Sequence, residues 1–201
     1  MAPDLYYPVA VVIGFLIGGI PTGVIVSRRK FGIDVREIGS GNIGATNVTR
    51  AFGWRAGILV FGVDLLKGFL PVHFALLLFS DDVAITVCLG VSLVLGHCYS
   101  PFLKFKGGKG VATSLGCVAA VLPIGAAIAA GVYALVLAIT RISALGSLAG
   151  VVTIIIYTYI AAPPRPIAIF VGLIAIIVIG RHTSNIARLL SSSNKGAPSA
   201  K

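Results

Sequence analysis

Gly96-His-Cys-Tyr-Ser-Pro-Phe-Leu-Lys-Phe-Lys-Gly-Gly-Lys-Gly-Val-Ala-Thr-Ser-Leu-Gly116 is the stretch on which the fold turns. The apolar run Val83 to Leu95 ends here, Pro101 breaks it, and a second apolar run starts at Val111. Between the two runs Lys104, Lys106 and Lys109 sit among Gly107, Gly108 and Gly110. Glycine lets backbone amides approach an anion closely, and a helix starting just behind them turns its positive dipole end the same way. The pattern predicts a phosphate cradle at a membrane surface, between two membrane helices.

The flanking runs set the structural class. Of the 201 residues, 57% are hydrophobic and 11% charged, where a soluble domain carries about 25% charged residues; mean hydropathy is +1.03. The runs are continuous rather than alternating, which excludes an outer-membrane barrel and leaves helices as the spanning structure. The chain therefore reads as an all-α polytopic membrane protein. Its net charge of +10 gathers in a few short loops. Positive-inside topology accounts for part of that excess, but the Gly, Ser, Asn and Thr that accompany it call for an anionic ligand as well. With no soluble basic domain and no aromatic platform, nucleic acid is excluded as a partner. Cys88, Cys98 and Cys117 lie in or beside apolar runs without a Cys-x-x-Cys pair and read as small buried residues. Met1 to Pro8 has no basic region ahead of the apolar run, so no cleaved signal peptide is expected.

Working outward from the lysine–glycine loop, seven spans are predicted. They are about Pro8–Ser27 (interrupted by Pro21), Ala56–Phe79, Val83–Cys98, Gly110–Leu122, Ile124–Thr140, Ile142–Ala161 and Ile167–Gly180. The stretch Val111–Thr140 is too long for one bilayer core, and Pro123 and Gly125 divide it. Only as two spans does it bring Arg141 and the final basic stretch to the side that holds Arg28, Arg29 and Lys30. The N-terminus is thus expected outside and the C-terminus in the cytoplasm. Residues 1–190 are expected to form one seven-helix domain, with the Ser-, Gly-, Ala- and Pro-containing residues 191–201 a disordered tail.

Three polar segments fall on the cytoplasmic side of this topology. In the long loop Arg28–Arg55, Ser40 to Arg50 supplies hydroxyls, amides, flexible backbone and, at Arg50, a fork-shaped cation suited to phosphate. The second is the lysine–glycine loop. The third is His182-Thr183-Ser184-Asn185, where His182 and Asn185 share a helix face and can point into one site. Ser147, beyond Arg141, is unremarkable by itself. Asp64 and Lys67 share a face inside the second span and read as a structural pair turned to the bundle interior; His97, at the end of the third span, reads as structural. Two motif matches are decoys. Gly39-Ser-Gly-Asn-Ile-Gly44 fits G-x-G-x-x-G, but it lacks a strand before it and a soluble βαβ unit around it. Gly107–Gly110 is no nucleotide-binding P-loop, since Gly110 follows Lys109 where Ser or Thr is required. Asn47-Val48-Thr49 is a glycosylation sequon on the wrong side of the membrane. No metal cluster and no Ser-His-Asp set is visible, so no cofactor is expected.

Together the segments Gly39–Gly53, Asp64–Gly68, Gly96–Gly116 and His182–Leu190 resemble the bacterial acyl-phosphate:glycerol-3-phosphate acyltransferase family, the PlsY type. The resemblance implies seven helices in the inner membrane with a catalytic site on the cytoplasmic face. It implies transfer of a fatty acyl group from acyl phosphate to the 1-hydroxyl of glycerol 3-phosphate, giving inorganic phosphate and a lysophosphatidic acid that stays with the membrane lipids. By motif match, Ser40, Thr46, Asn47, Gly107, Gly108 and Gly110 would cradle acyl phosphate, and Arg50, Lys109, Ser147, His182 and Asn185 would hold glycerol 3-phosphate. Among these, Arg50, Lys109, His182 and Asn185 are the candidate catalytic groups. Either His182 or a substrate phosphate would take the hydroxyl proton. A monomer is expected. Family members often follow the last motif with a glycine and an acidic residue; here Ser191-Ser-Ser-Asn-Lys195 follows Leu190, with no acid. The competing reading is an organic-phosphate transporter, which would more readily show repeats and a mid-membrane site.

Overall fold

The structure is a computed structural model that describes residues 5–194. Ten α-helices and no strand occur among the described residues. The first apolar run forms α1 (Tyr6–Gly19) and α2 (Thr22–Phe31). The polar loop that follows is itself ordered: a 3-10 turn covers Val35–Glu37 and a helix, α3, covers Ala45–Phe52. Then come α4 (Trp54–Leu78), α5 (Val83–Cys98), α6 (Val111–Val121), α7 (Pro123–Thr140), α8 (Ser143–Ala161), α9 (Arg165–Gly180) and α10 (Thr183–Asn194). The division at Pro123 falls where the sequence puts it. α10 carries helix through Asn194, into the stretch 191–201 expected as a tail, and residues 195–201 lie outside the described residues.

Among the described residues five helical stretches are long and apolar enough to cross a bilayer: Tyr6–Phe31, α4, Val83–Leu103 (α5 with the turn after it), α7 and α8. The pair Arg165–Gly180 and Thr183–Ser191 passes the same test together but bends by 54° between its halves. α6, at 11 residues, rises only about 16 Å, half the roughly 30 Å of a hydrocarbon core. Large apolar side chains such as Leu78, Ile139, Ile160 and Ile176 lie on the outer surface, as a bundle solvated by lipid requires. α5 is the most enclosed of the long helices; Leu93, Val94 and Cys98 are fully buried on it, and Phe170 of α9 packs against its Gly90.

Pro21 breaks the first run, since proline has no N–H to continue the ladder. The carbonyls freed at the break are met from elsewhere. Lys67 Nζ of α4 donates to the Ile20 carbonyl at 3.0 Å, and Ser100 Oγ donates to the Gly19 carbonyl. Thr22 Oγ1, at the start of α2, donates to Asp64 Oδ1 at 2.8 Å, and Asp64 and Lys67 pair at 2.7 Å with side chains 3% and 7% exposed. The pair is structural, as the sequence suggests, and its task is to join α4 to a broken helix. In the following loop, Asp34 takes a forked pair of hydrogen bonds from Arg36 and an ion pair from Arg28. The Arg36 hydrogen bonds above all hold its carboxyl down at about 2.

The lysine–glycine loop folds back onto the end of α5. Gly107 N–H donates to the Cys98 carbonyl at 3.2 Å and Gly108 N–H to the His97 carbonyl at 3.0 Å, capping carbonyls that a helix end leaves unpaired. The fit leaves no room for a side chain. A β-carbon on Gly107 would overlap the His97 carbonyl oxygen, and one on Gly108 would overlap His97 Nε2. His97 is held in turn by Thr113 Oγ1 of α6, 3.1 Å from Nδ1. α6 itself packs on α4 through reciprocal glycines, Gly68 against the Thr113 carbonyl and Gly116 against the Leu65 carbonyl.

Two outcomes follow from this packing. Lys67→Met strands the buried Asp64 carboxylate and is expected to cost about 3–5 kcal/mol, read as a lowered Tm of the purified protein in detergent; an unchanged Tm would remove the pair from the structural framework. Gly108→Ala is expected to cost about 1–3 kcal/mol through overpacking, so Tm and turnover fall together. A raised KM at unchanged Tm would instead mean that the glycine serves substrate approach.

Candidate active site

One cavity of about 610 Å³ opens among α3, α6, α7, α8 and α9. Its character changes along its length. Ser40, Arg50, Lys109, His182, Asn185 and Arg188 line one end; Val118, Ala126, Ile154 and Val171, from four different helices, line the other. The polar groups come from the loops and helix ends that carry the three polar segments and the apolar ones from the walls of α6, α7, α8 and α9, so the cavity runs from the bundle's edge into its core.

Ser40 to Arg50 is organised around Asn47. Its Nδ2 donates within 3.0 Å to the carbonyls of Val35, Ile38 and Asn42, and its Oδ1 accepts the Ser40 N–H at 3.0 Å. Every polar atom of that buried side chain is thus engaged by the loop. Asn47 sits at the cavity wall but has both its amide hydrogens taken, which leaves it no donor for an anion and gives it the role of shaping the loop that presents Ser40. Thr46 Oγ1 lies 3.0 Å from Ser143 Oγ, itself 3.1 Å from Tyr133 OH, so three hydroxyls tie α3, α7 and α8 together. Arg50, in the last turn of α3, is exposed, lines the cavity and has no protein partner among the described residues.

The glycines of the lysine loop divide. Gly107 and Gly108 were expected to offer amides to a phosphate, but both amides cap α5 and neither residue lines the cavity. Their carbonyls also take hydrogen bonds, Gly108 from Arg181 Nε at 3.1 Å and Gly107 from Arg181 Nη2 at 3.3 Å. The guanidinium of Arg181 lies over the Tyr99 ring, 5.0 Å from its centre. Lys104 and Lys106 are exposed and away from the cavity. Lys109 and Gly110 do line it. Gly110, at φ +79°, turns the chain into α6, and no side chain caps that helix start, which leaves its first amides for a ligand.

Lys109 Nζ donates to Asn185 Oδ1 at 2.6 Å, joining the second and third segments. Burial lowers its pKa, and Arg188, Arg181 and Arg50 add to the fall. Asp64 also lines the cavity but is already paired with Lys67. His182 is 1% exposed. Its Nδ1 lies 2.8 Å from the Val178 carbonyl, which fixes the proton on Nδ1 and leaves Nε2 as an acceptor. Burial pushes the imidazole below its ordinary 6.5; the Val178 hydrogen bond opposes this and Lys109 adds to it. Ser147 is buried at the wall, donating to the Ser143 carbonyl at 3.0 Å. The cavity thus collects Ser40, Thr46, Asn47, Arg50, Lys109, Gly110, Ser147, His182 and Asn185, and leaves Gly107 and Gly108 behind the wall.

Sequence reasoning misses Arg181, Arg188, Ser143 and Tyr133. The two arginines stand in the cluster read as topological charge, and their adjacency to His182 and Asn185 was the available signal. Ser143 and Ser147 are four apart at a helix start, a spacing that puts both on one face. Nothing in the sequence singles out Tyr133. Among the described residues no three His, Cys, Asp or Glu side chains converge as metal ligands would.

Residues 8–192 match the family model described as glycerol-3-phosphate acyltransferase. The glycerol-3-phosphate acyltransferase of Myxococcus xanthus is 44% identical over 179 residues, 89% of this chain and 93% of that one. That of Aquifex aeolicus is 40% identical over 181 residues, 90% and 94% of the two chains. Crystal structures of PlsY, an integral membrane glycerol 3-phosphate acyltransferase, superpose with TM-scores of 0.88 in the glycerol 3-phosphate form and 0.86 in the lysophosphatidic acid form. They are 39% and 38% identical to this chain, and each comparison covers 92% of both chains. Sequence and fold agree over nine-tenths of the length, and the chain belongs to the glycerol-3-phosphate acyltransferase family.

Proposed function

We propose that the cavity joins two phosphorylated substrates, a membrane-borne acyl phosphate and glycerol 3-phosphate, and transfers the acyl group between them. The observation that carries this reading is the gradient along the cavity. Lys109, Arg50 and Arg188 line one end with no unpaired carboxylate among the described lining residues to answer them, and apolar side chains close the other. An amphiphile with an anionic head fits that gradient, and the excess of cations leaves capacity for a second anion. Ser40, Thr46, Gly110 and the first amides of α6 face the acyl-phosphate head; Arg50, Lys109, Ser147, His182 and Asn185 face glycerol 3-phosphate. Asn47, Gly107 and Gly108 support the two groups from behind.

The donor is a mixed anhydride and so already activated; the protein has to position two anions and stabilise the charge that develops between them. The C1 oxygen of glycerol 3-phosphate bonds to the acyl carbon, the bond from that carbon to the phosphate oxygen breaks, and its electron pair leaves with inorganic phosphate. His182 Nε2 receives the hydrogen bond of the attacking hydroxyl, whose proton ends on the departing phosphate. A neutral ring is needed for this, and burial of the imidazole favours the neutral form. Neither coenzyme A nor ATP has a part in these steps. The carrier reading gains nothing from the relatives, which are named as enzymes.

In the membrane, the reading is of seven crossings, with α6 as a short one, the N-terminus outside and the C-terminus in the cytoplasm. The site then faces the cytoplasm of a bacterial cell, in its inner membrane, with the chain acting as a monomer. The positive-inside distribution of Arg28, Arg29, Lys30, Arg141 and Arg181 supports that orientation.

Purified protein supplied with acyl phosphate and glycerol 3-phosphate alone is expected to release inorganic phosphate and form acylglycerol phosphate. Arg50→Ala and Lys109→Ala are each expected to reduce kcat/KM about 100-fold or more, and wild-type kinetics in either would mean that the phosphate site lies elsewhere. For the topology, single cysteines introduced at Lys104 and Ser191, in a background with the native cysteines replaced, are expected to react with a membrane-impermeant maleimide only after the cytoplasmic face is opened, and one at Asp81 before. Any other pattern would overturn the seven-crossing arrangement.

A further inference from the structure

The hydroxyl of Ser114 has no role in what has been described. It stands in the first turn of α6, 6% exposed, and lines the cavity. Its Oγ is buried and makes no hydrogen bond. Serine and threonine inside a helix ordinarily turn back to the carbonyl four residues earlier. Thr140, Ser147, Thr153 and Thr158 all do so here, at 2.7–3.0 Å. Ser114 does not, although the Gly110 carbonyl four residues back takes its backbone N–H at 2.7 Å. A buried hydroxyl without a partner costs about 1–3 kcal/mol, so an empty Ser114 is a standing deficit that a ligand would remove.

Its position says what kind of atom would remove it. The cavity-lining residues of α6 run Gly110, Val111, Ala112, Ser114, Leu115, Val118. Lys109, Gly110 and the uncapped amides mark the phosphate end, while Leu115 and Val118 begin the apolar wall. Ser114 lies between them, about 6 Å along the axis from Gly110. In an acyl phosphate the one polar atom between phosphate and hydrocarbon is the carbonyl oxygen.

We infer that Ser114 Oγ donates a hydrogen bond to the acyl carbonyl oxygen and, with the first amides of α6, holds the negative charge that oxygen gains when the glycerol hydroxyl adds to the carbon. The inference rests on the acyl-transfer reading above. The charge arises as the carbonyl π pair moves onto oxygen, and it returns as the bond to phosphate breaks and inorganic phosphate leaves. A donor placed for the charged oxygen contributes more to the transition state than to the bound substrate, so its removal shows in kcat.

The experiment compares wild type, Ser114→Ala and Thr86→Val with acyl phosphate and glycerol 3-phosphate. Thr86 Oγ1 is the other buried side-chain atom without a partner among the described residues, and it is not at the cavity. Ser114→Ala is expected to lower kcat roughly 10- to 100-fold, to leave KM for glycerol 3-phosphate within twofold, and to leave Tm unchanged, since no protein bond is lost. Thr86→Val is expected to keep wild-type kcat. A second readout uses a carbon-13-labelled β-ketophosphonate, which keeps the carbonyl but replaces the scissile oxygen with a methylene. Its carbonyl stretch, measured by difference infrared spectroscopy, should lie at higher wavenumber in Ser114→Ala than in wild type. A kcat within twofold of wild type, or an unmoved carbonyl band, overturns the inference. So does a loss of activity that tracks a loss of Tm with the band unmoved, which would make Ser114 a packing residue. Failure of the wild-type protein to transfer acyl groups at all sinks the functional reading first, and this inference with it.

Discussion

The site depends on how the lysine–glycine loop closes over the end of α5. Two amides, Gly107 and Gly108, satisfy the carbonyls of Cys98 and His97, and the carbonyls of those same glycines are held by Arg181. Four hydrogen bonds on two residues leave the backbone no freedom at that point. Immediately beyond, Lys109 is aimed at Asn185 and Gly110 turns into α6. The loop is therefore rigid where its composition suggests flexibility, and that rigidity fixes the start of α6 and the Lys109 ammonium relative to His182. A preorganised cluster of donors needs no rearrangement when charge develops.

Electrostatics then give the loop its function. Two buried carboxylates near the bundle's polar edge are engaged, Asp34 by Arg36 and Arg28 and Asp64 by Lys67 and Thr22. The cations around the cavity have no such answer. Burial depresses the pKa of Lys109, and Arg188, Arg181 and Arg50 depress it further. Like charges gathered around a half-buried ammonium are costly unless an anion joins them. A phosphate supplies it, which couples occupancy of the site to its stability.

Much of this was legible in the sequence, for identifiable reasons. α5 begins and ends at the predicted residues because an aspartate cap and a proline bracket it. The α6–α7 division follows from Pro123, and the pairing of Asp64 with Lys67 from their spacing. Arg50, Lys109, His182 and Asn185 reach one cavity as expected, because helix ends on one face have few other places to send polar side chains. What the residues concealed is which polar atoms are already satisfied. Gly107, Gly108 and Asn47 have the chemistry of ligand-binding groups, yet their donors go to carbonyls distant in sequence or hidden in a loop. That accounting depends on tertiary contacts. The ordered loop with α3 escaped for a related reason, since a helix of 8 residues has too short a pattern to stand out.

The Asp64–Lys67 pair has one more implication, for how the protein is made. Each charge alone would oppose insertion of α4 by roughly 2.5–3.5 kcal/mol. Because the partners lie one turn apart on the same helix, they can neutralise each other before any other helix has docked. α4 can then enter the bilayer as a nearly neutral rod during synthesis. The exposed carbonyl of Ile20 and the hydroxyl of Thr22, on a segment made earlier, meet a ready-formed polar socket when it arrives.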